Sequence, residues 1–189
     1  MIPSFKKLHY EKNWFAALFH PMSREVLNAE SQQPLFFFSM DWSSTMKIYD
    51  ASRQNLLMDL RWMRAAGWRT WEVYVGTKKQ GAIRAEILQS FLALGTERWS
   101  VLDESGKEIL KVSAPQWKAI EHVLDELTNL YNPTHVLVIE NLKGVKVATI
   151  SMKHGMFSSF YDLSLEKITE EERVLVLALF SAILLMMRK

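Results

Sequence analysis

The chain has 189 residues, 49% of them apolar and 23% charged, a composition ordinary for one globular domain that can bury roughly 70% of its unfolded surface. It contains no cysteine, which excludes disulfides, thiol catalysis and Cys-based zinc sites. Its 23 basic and 21 acidic residues leave a net charge of +2, too balanced for the long-range field that draws proteins to nucleic acid, so any cationic site has to be a local patch.

At the N-terminus, Tyr10, Glu11, Lys12 and Asn13 interrupt the place where a secretion signal needs an apolar run, so a cytoplasmic protein is expected. Residues 1–33 are expected to form a segment that packs on the main domain. Within it Phe5, Leu8, Phe15, Leu18 and Phe19 hint at a helix ended by Pro21, and residues 31–34 read as a connector. From Leu35 the period shortens: residues 35–42 and 45–49 carry side chains suited to a pleated surface.

Hairpin-like units follow, each an apolar stretch, a polar turn and a second apolar stretch. Ile48-Tyr49-Asp50 leads through residues 51–55 to Leu56-Leu57, and Val101-Leu102-Asp103 leads through residues 104–108 to Ile109-Leu110, with identical spacing. Looser copies turn at residues 76–81 and 140–144. Four such hairpins predict an antiparallel sheet of about eight or more strands, which needs closure to protect its edges. One segment breaks the pattern. Over residues 114–131 Ile120, Val123, Leu124, Leu127 and Leu130 recur at helical spacing, with Ser113 and Gln116 as a capping box and Asn132-Pro133 as the stop.

The C-terminal element, residues 170–187, is a helix by every local sign. Thr169 and Glu172 form a capping box, and Glu170, Glu171 and Glu172 lie at the positive end of the helix dipole. Between Val174 and Met187 every residue except Ser181 is apolar or small, so the helix has no polar face and has to be surrounded. Fourteen residues span about 21 Å, short of a hydrocarbon core of about 30 Å, which favours burial in protein over a tail anchor with Arg173 and Arg188 snorkelling.

Taken together, the Tyr49-Asp50 hairpin, residues 99–112 and 135–153, Phe160-Tyr161-Asp162, and Glu171-Glu172-Arg173 before the apolar run resemble the tubby-like superfamily, in its LURP-one-related and phospholipid-scramblase-like branch. The resemblance covers roughly residues 35–187 and lies in residue classes, not in catalytic signatures. It implies a closed antiparallel barrel of about twelve strands, residues 34–189, around a central hydrophobic C-terminal helix, with residues 114–131 as a helical insertion. Independent of any family, a sheet that needs closing and a helix that needs enclosing are satisfied together by one barrel around one helix.

No nucleophile elbow, metalloprotease helix, phosphate loop or dinucleotide pattern is present, and His9, His20, His122, His135 and His154 show no ligand spacing, so neither catalysis nor a cofactor is expected. A Ser151, His154 and Asp162 trio is of a kind that any chain this long supplies by chance. The candidate lipid contacts are turn lysines: Lys78 and Lys79, Lys107, and Lys143 and Lys146, which make a cationic rim if their turns open at one barrel end. The plainer account is that lysine is a solubilising turn residue. Arg61, Arg64, Trp68 and Arg69 belong to a stretch that interleaves arginine with tryptophan, as at membrane interfaces, or else form strand ends whose rings pack on the sheet under arginine stems. The resulting expectation is a non-enzymatic domain that binds anionic phospholipid or a membrane surface, with a protein-interaction domain as the alternative and nucleic acid as no partner.

Overall fold

The structure, a computed structural model, describes residues 2–13, 23–40, 45–65, 68–86, 99–113, 134–154 and 158–186. Twelve strands run in chain order: β1 (Lys7–Asn13), β2 (Ser23–Asn28), β3 (Pro34–Met40), β4 (Met46–Asp50), β5 (Leu56–Ala65), β6 (Trp68–Val75), β7 (Lys78–Glu86), β8 (Trp99–Asp103), β9 (Glu108–Ser113), β10 (Thr134–Asn141), β11 (Lys146–His154) and β12 (Ser158–Leu165). Each pairs antiparallel with its sequence neighbours, and β1 closes the barrel on β12 through seven residue pairs. The seam between β1 and β2 is much narrower, with only Leu8↔Asn28 and His9↔Leu27 in register.

Strand period two sorts the side chains. Leu8, Tyr10, Phe36, Phe38, Ile48, Met58, Leu60, Ile83, Leu110, Ile139, Ile150, Tyr161 and Leu163 are buried inside, while Lys47, Asp59, Arg61, Glu72, Lys111, Thr149, Lys153 and Asp162 alternate with them along the outer wall. This is the reverse of a barrel that faces hydrocarbon, whose outward band is apolar.

The interior is filled by α1 (Glu170–Met186), in which Leu175 to Leu184 are all buried, with no residue more than 3% exposed. Geometry explains why a helix is required. Twelve strands spaced about 4.8 Å apart and tilted about 40° give a circumference of about 75 Å and a backbone radius of about 12 Å. Inward side chains cannot span that radius. A helix about 5–6 Å in radius with its side chains leaves about 6 Å for one layer of strand side chains, which closes the space. Ser181, the single polar residue in the buried run, donates from Oγ to the Leu177 carbonyl at 2.7 Å, so it brings no unpaired group inside. No helix among the described residues is long and apolar enough to cross a membrane.

The helix is held off the axis. It comes closest to β7, then to β6 and β8, and on β7 Gly81 leaves the room that Leu175 approaches. A Cβ built on Gly81 would lie 3.0 Å from Leu175 Cδ2 and 2.2 Å from the Leu102 carbonyl oxygen. Aromatic rings fill space on both sides of the interior: Trp71 and Trp99 stack beside β7, while away from it Phe5 packs edge-on against Phe36 at 5.5 Å and Tyr10 lies beside Tyr161 at 5.8 Å.

Two expectations are corrected. Residues 7–13 and 23–28 are strands of the barrel, not a separate segment packed on it, while residues 31–33 do link β2 to β3. The helical reading linked Leu8 to Phe15, but the local period is two, with Leu8 and Tyr10 buried and Lys7, His9 and Glu11 on the other face; residues 14–22 lie outside the described residues. The third hairpin also turns earlier than expected, since Val75 pairs with Lys78 across the two residues Gly76 and Thr77. Lys78 and Lys79 therefore begin a strand and do not sit in a loop. The helix expected over residues 114–131 falls on residues that are not described.

Candidate functional site

In an antiparallel meander the connections alternate between the two ends of the barrel. Those after β2, β4, β6, β8, β10 and β12 share one end, which also receives the start of α1. Each of the turn lysines is at this end, on three adjacent hairpins: Lys78 and Lys79 at the start of β7, Lys107 before β9, Lys143 before β11 and Lys146 at its start.

The turns are built on one frame. Asp103 N–H donates to the Lys107 carbonyl and Gly106 N–H to the Asp103 carbonyl, while Asp103 Oδ1 accepts from the N–H groups of Ser105 and Lys107 at 2.9 and 3.0 Å. Asn141 repeats the arrangement, accepting at Oδ1 from Lys143 and Val145 N–H, both at 3.0 Å. The fourth residue of each frame, Gly106 (φ 84°) or Gly144 (φ 73°), is left-handed, which is why glycine stands there. Asp50 nucleates a longer version with Arg53 at the left-handed position (φ 62°). Hydrogen bonds from Asn55 and Ser52 hold the Asp50 carboxyl down to about 2, and the Ser105 hydroxyl and Lys107 N–H lower that of Asp103. The Tyr-Asp and Leu-Asp signatures of the hairpins are thus turn-forming carboxylates.

Charge at the rim is largely compensated. Lys79 Nζ donates to Glu72 Oε1 at 2.6 Å, and Lys146 Nζ lies 2.6 Å from Glu166 Oε1; Lys78 approaches Glu104 at 3.9 Å. Lys79 depresses the Glu72 carboxyl, helped by the Tyr74 hydroxyl, which donates to it at 2.9 Å and has its own ionisation pushed up in consequence. Among the described residues, Lys107 and Lys143 are the two candidate lysines in no ion pair.

The arginine and tryptophan stretch does not join that rim. Arg61 lies on the outer wall, its Nε 2.9 Å from Asp59 Oδ2 and its guanidinium 4.0 Å from the centre of the Tyr74 ring; Asp59 raises its already high pKa further. Arg64 and Arg69 occupy directly opposed register positions near the hairpin at the other end of the barrel, and Trp68 opens β6 there opposite Ala65. Arg69 is half-buried and engaged, and the side chains of Arg64 and Trp68 lie outside those described. Trp71 turns inward and stacks on Trp99 at 5.9 Å.

The residues considered as a triad are arranged otherwise. Asp162 pairs with His9, whose Nδ1 is 2.6 Å from Asp162 Oδ1, and Ser151 is opposite Asp162 on the other side. The carboxylate is therefore the middle member. With strands about 4.8 Å apart, Ser151 and the His9 imidazole, which takes the place expected of His154, are about 10 Å apart, and no proton passes between them directly. His154 is in register with Ser159 instead. Among the described residues no group of three His, Asp or Glu side chains is placed to hold a metal.

Two features escaped the sequence reading. One is the His9 and Asp162 pair, whose members are 153 positions apart. The other is that Leu142 and Val145, on the β10–β11 turn, are 53% and 49% exposed; aligning the two turn frames residue by residue would have found it. Comparison with protein-family models, with curated proteins and with solved structures finds no match to this chain.

Proposed function

We propose that this chain is a non-enzymatic barrel of the tubby-like, LURP-one-related and scramblase-like kind, whose turn end binds the surface of an anionic phospholipid bilayer such as a cytoplasmic leaflet. The observation that carries the reading is topological. The meander brings Lys78, Lys107 and Lys143, far apart in sequence, onto three adjacent hairpins at one end, and Lys107 and Lys143 form no ion pair among the described residues. A closed barrel around a buried helix also agrees with the architecture that the sequence pattern resembles. The buried helix cannot line a transmembrane path, so the reading is surface binding and not lipid translocation.

Each cation near an anionic leaflet contributes about 1 kcal/mol, so Lys107 and Lys143 together give about a 30-fold preference for anionic over neutral vesicles. Sedimentation with phosphatidylcholine vesicles, with and without phosphatidylserine, measures it. The Lys107→Gln, Lys143→Gln double variant is expected to remove most of the preference, and Lys146→Gln to reduce it less because Glu166 already neutralises that charge. Equal binding of the native chain to both vesicle types would end this reading. The mixed charge of the rim, with Glu72, Glu104 and Glu166 among the lysines, favours a second reading, a protein-binding face with no lipid ligand. Recovery of a defined partner in a pulldown that lipid leaves unchanged would support it.

A further inference from the structure

The β8–β9 and β10–β11 turns provide an internal control. Asp103-Glu104-Ser105-Gly106-Lys107 and Asn141-Leu142-Lys143-Gly144-Val145 share the same backbone hydrogen bonds, side-chain acceptor pattern and left-handed glycine. At the second and fifth positions the first turn has Glu104 and Lys107, as solvent-facing turn positions ordinarily do. The second has Leu142 and Val145, about half exposed. Since the frame forms equally well around charged residues, folding does not account for the aliphatic pair.

We infer that the β10–β11 turn is a wedge that dips Leu142 and Val145 into the interfacial layer of an anionic bilayer, with Lys143 between them and Lys107 on the adjacent turn meeting the headgroups. This rests on the lipid-binding reading and adds to it a mode of contact. Two aliphatic side chains on a tip are far too small for a protein interface, which needs about 800 Å² from each partner. They suffice for interfacial insertion, where apolar contact and attraction to anionic lipid act together. The frame's many hydrogen bonds hold the tip in shape, so little ordering accompanies insertion.

The absence of cysteine allows a direct test. Leu142→Cys and Glu104→Cys, equivalent positions of the two turns, are each labelled with an environment-sensitive nitrobenzoxadiazole dye in the full chain and mixed with phosphatidylcholine and phosphatidylserine vesicles. The label at 142 is expected to shift to the blue and to be quenched by lipid spin-labelled high on the acyl chain, while the label at 104 stays aqueous. Leu142→Asp with Val145→Asp is expected to weaken sedimentation by at least about tenfold while the thermal midpoint is kept, because both positions face solvent in the free protein. If the chain sediments with vesicles but the two labels behave alike, the wedge is overturned and surface binding stands. If the unlabelled chain does not sediment with anionic vesicles, both readings fall.

Discussion

At Gly81 the barrel wall comes close to its helix, and Gly81→Ala tests that packing. The added Cβ would stand 2.2 Å from the Leu102 carbonyl oxygen and 3.0 Å from Leu175 Cδ2. An ordinary carbon-to-oxygen contact is about 3.3 Å, so β7 and β8 would have to separate locally by about 1 Å. The obstacle is backbone inside a hydrogen-bonded ladder, with Gly81 in register with Asp103, and no side-chain rotation relieves it. Overpacking costs about 1–3 kcal/mol, and rigid neighbours together with a φ of 157°, which L side chains rarely adopt, place this case at about 3 kcal/mol. Gly106→Ala is the comparison: nothing lies within 4 Å of its Cβ, and only the left-handed φ of 84° is lost, at a cost of about 1 kcal/mol. In urea, with a slope of about 2 kcal/mol per molar, the midpoints should fall by about 1.5 M and about 0.5 M respectively. A shift for Gly81→Ala no larger than that for Gly106→Ala would refute close packing of α1 on β7.

Further expectations concern the helix and the turns. Leu179→Ala removes a fully buried side chain and should cost about 2–5 kcal/mol by thermal or urea unfolding, whereas Leu179→Asp, an unpaired charge at the same place, should prevent folding altogether, read as loss of circular dichroism. Thr169→Ala removes the cap in which Thr169 Oγ1 accepts from Glu172 N–H at 3.2 Å and Glu172 Oε2 accepts from Thr169 N–H at 2.9 Å; a loss of about 1 kcal/mol is expected from the urea midpoint. Asp50 has a carboxyl lowered on folding to about 2, so its contribution is complete above the unfolded value of about 4 and disappears as pH falls through about 2. Asp50→Asn, which imitates the natural Asn141 turn, should therefore be less stable than the native chain at neutral pH, with the gap closing between about pH 4 and pH 2. A gap independent of pH would show that the charge does not contribute.

The cationic rim and its wedge differ in how far sequence discloses them. The lysines were visible as residues, but whether Lys78, Lys107 and Lys143 share a surface depends on which end of the barrel each hairpin closes, and that follows from the order of all the strands. Their compensation was not visible either. Glu72 and Lys79 are brought together by the β6–β7 register, and Lys146 and Glu166 by the pairing of β11 with β12 and the chain that follows. Leu142 read as a turn residue and Val145 as the start of a strand, and only the turn frame exposed both.

What the sequence by itself determined is what local chemistry dictates. The Thr169 and Glu172 cap and the unbroken apolar run set the helix and its need for enclosure, because a helix without a polar face has no stable place in water. Asp50 and Asp103, and the glycine of the Asp103 frame, set the turns, because an acceptor at the first position satisfies the turn's own N–H groups. Only the tertiary structure decided that residues 7–13 and 23–28 are strands, since a few apolar residues fit either period until neighbours are supplied. It alone decided that the helix leans on β7, where Gly81 lets Leu175 come close to the wall. Closure of β1 on β12 pairs residues more than 140 positions apart, and such contacts arise from the geometry of the whole barrel and leave no local mark in the chain.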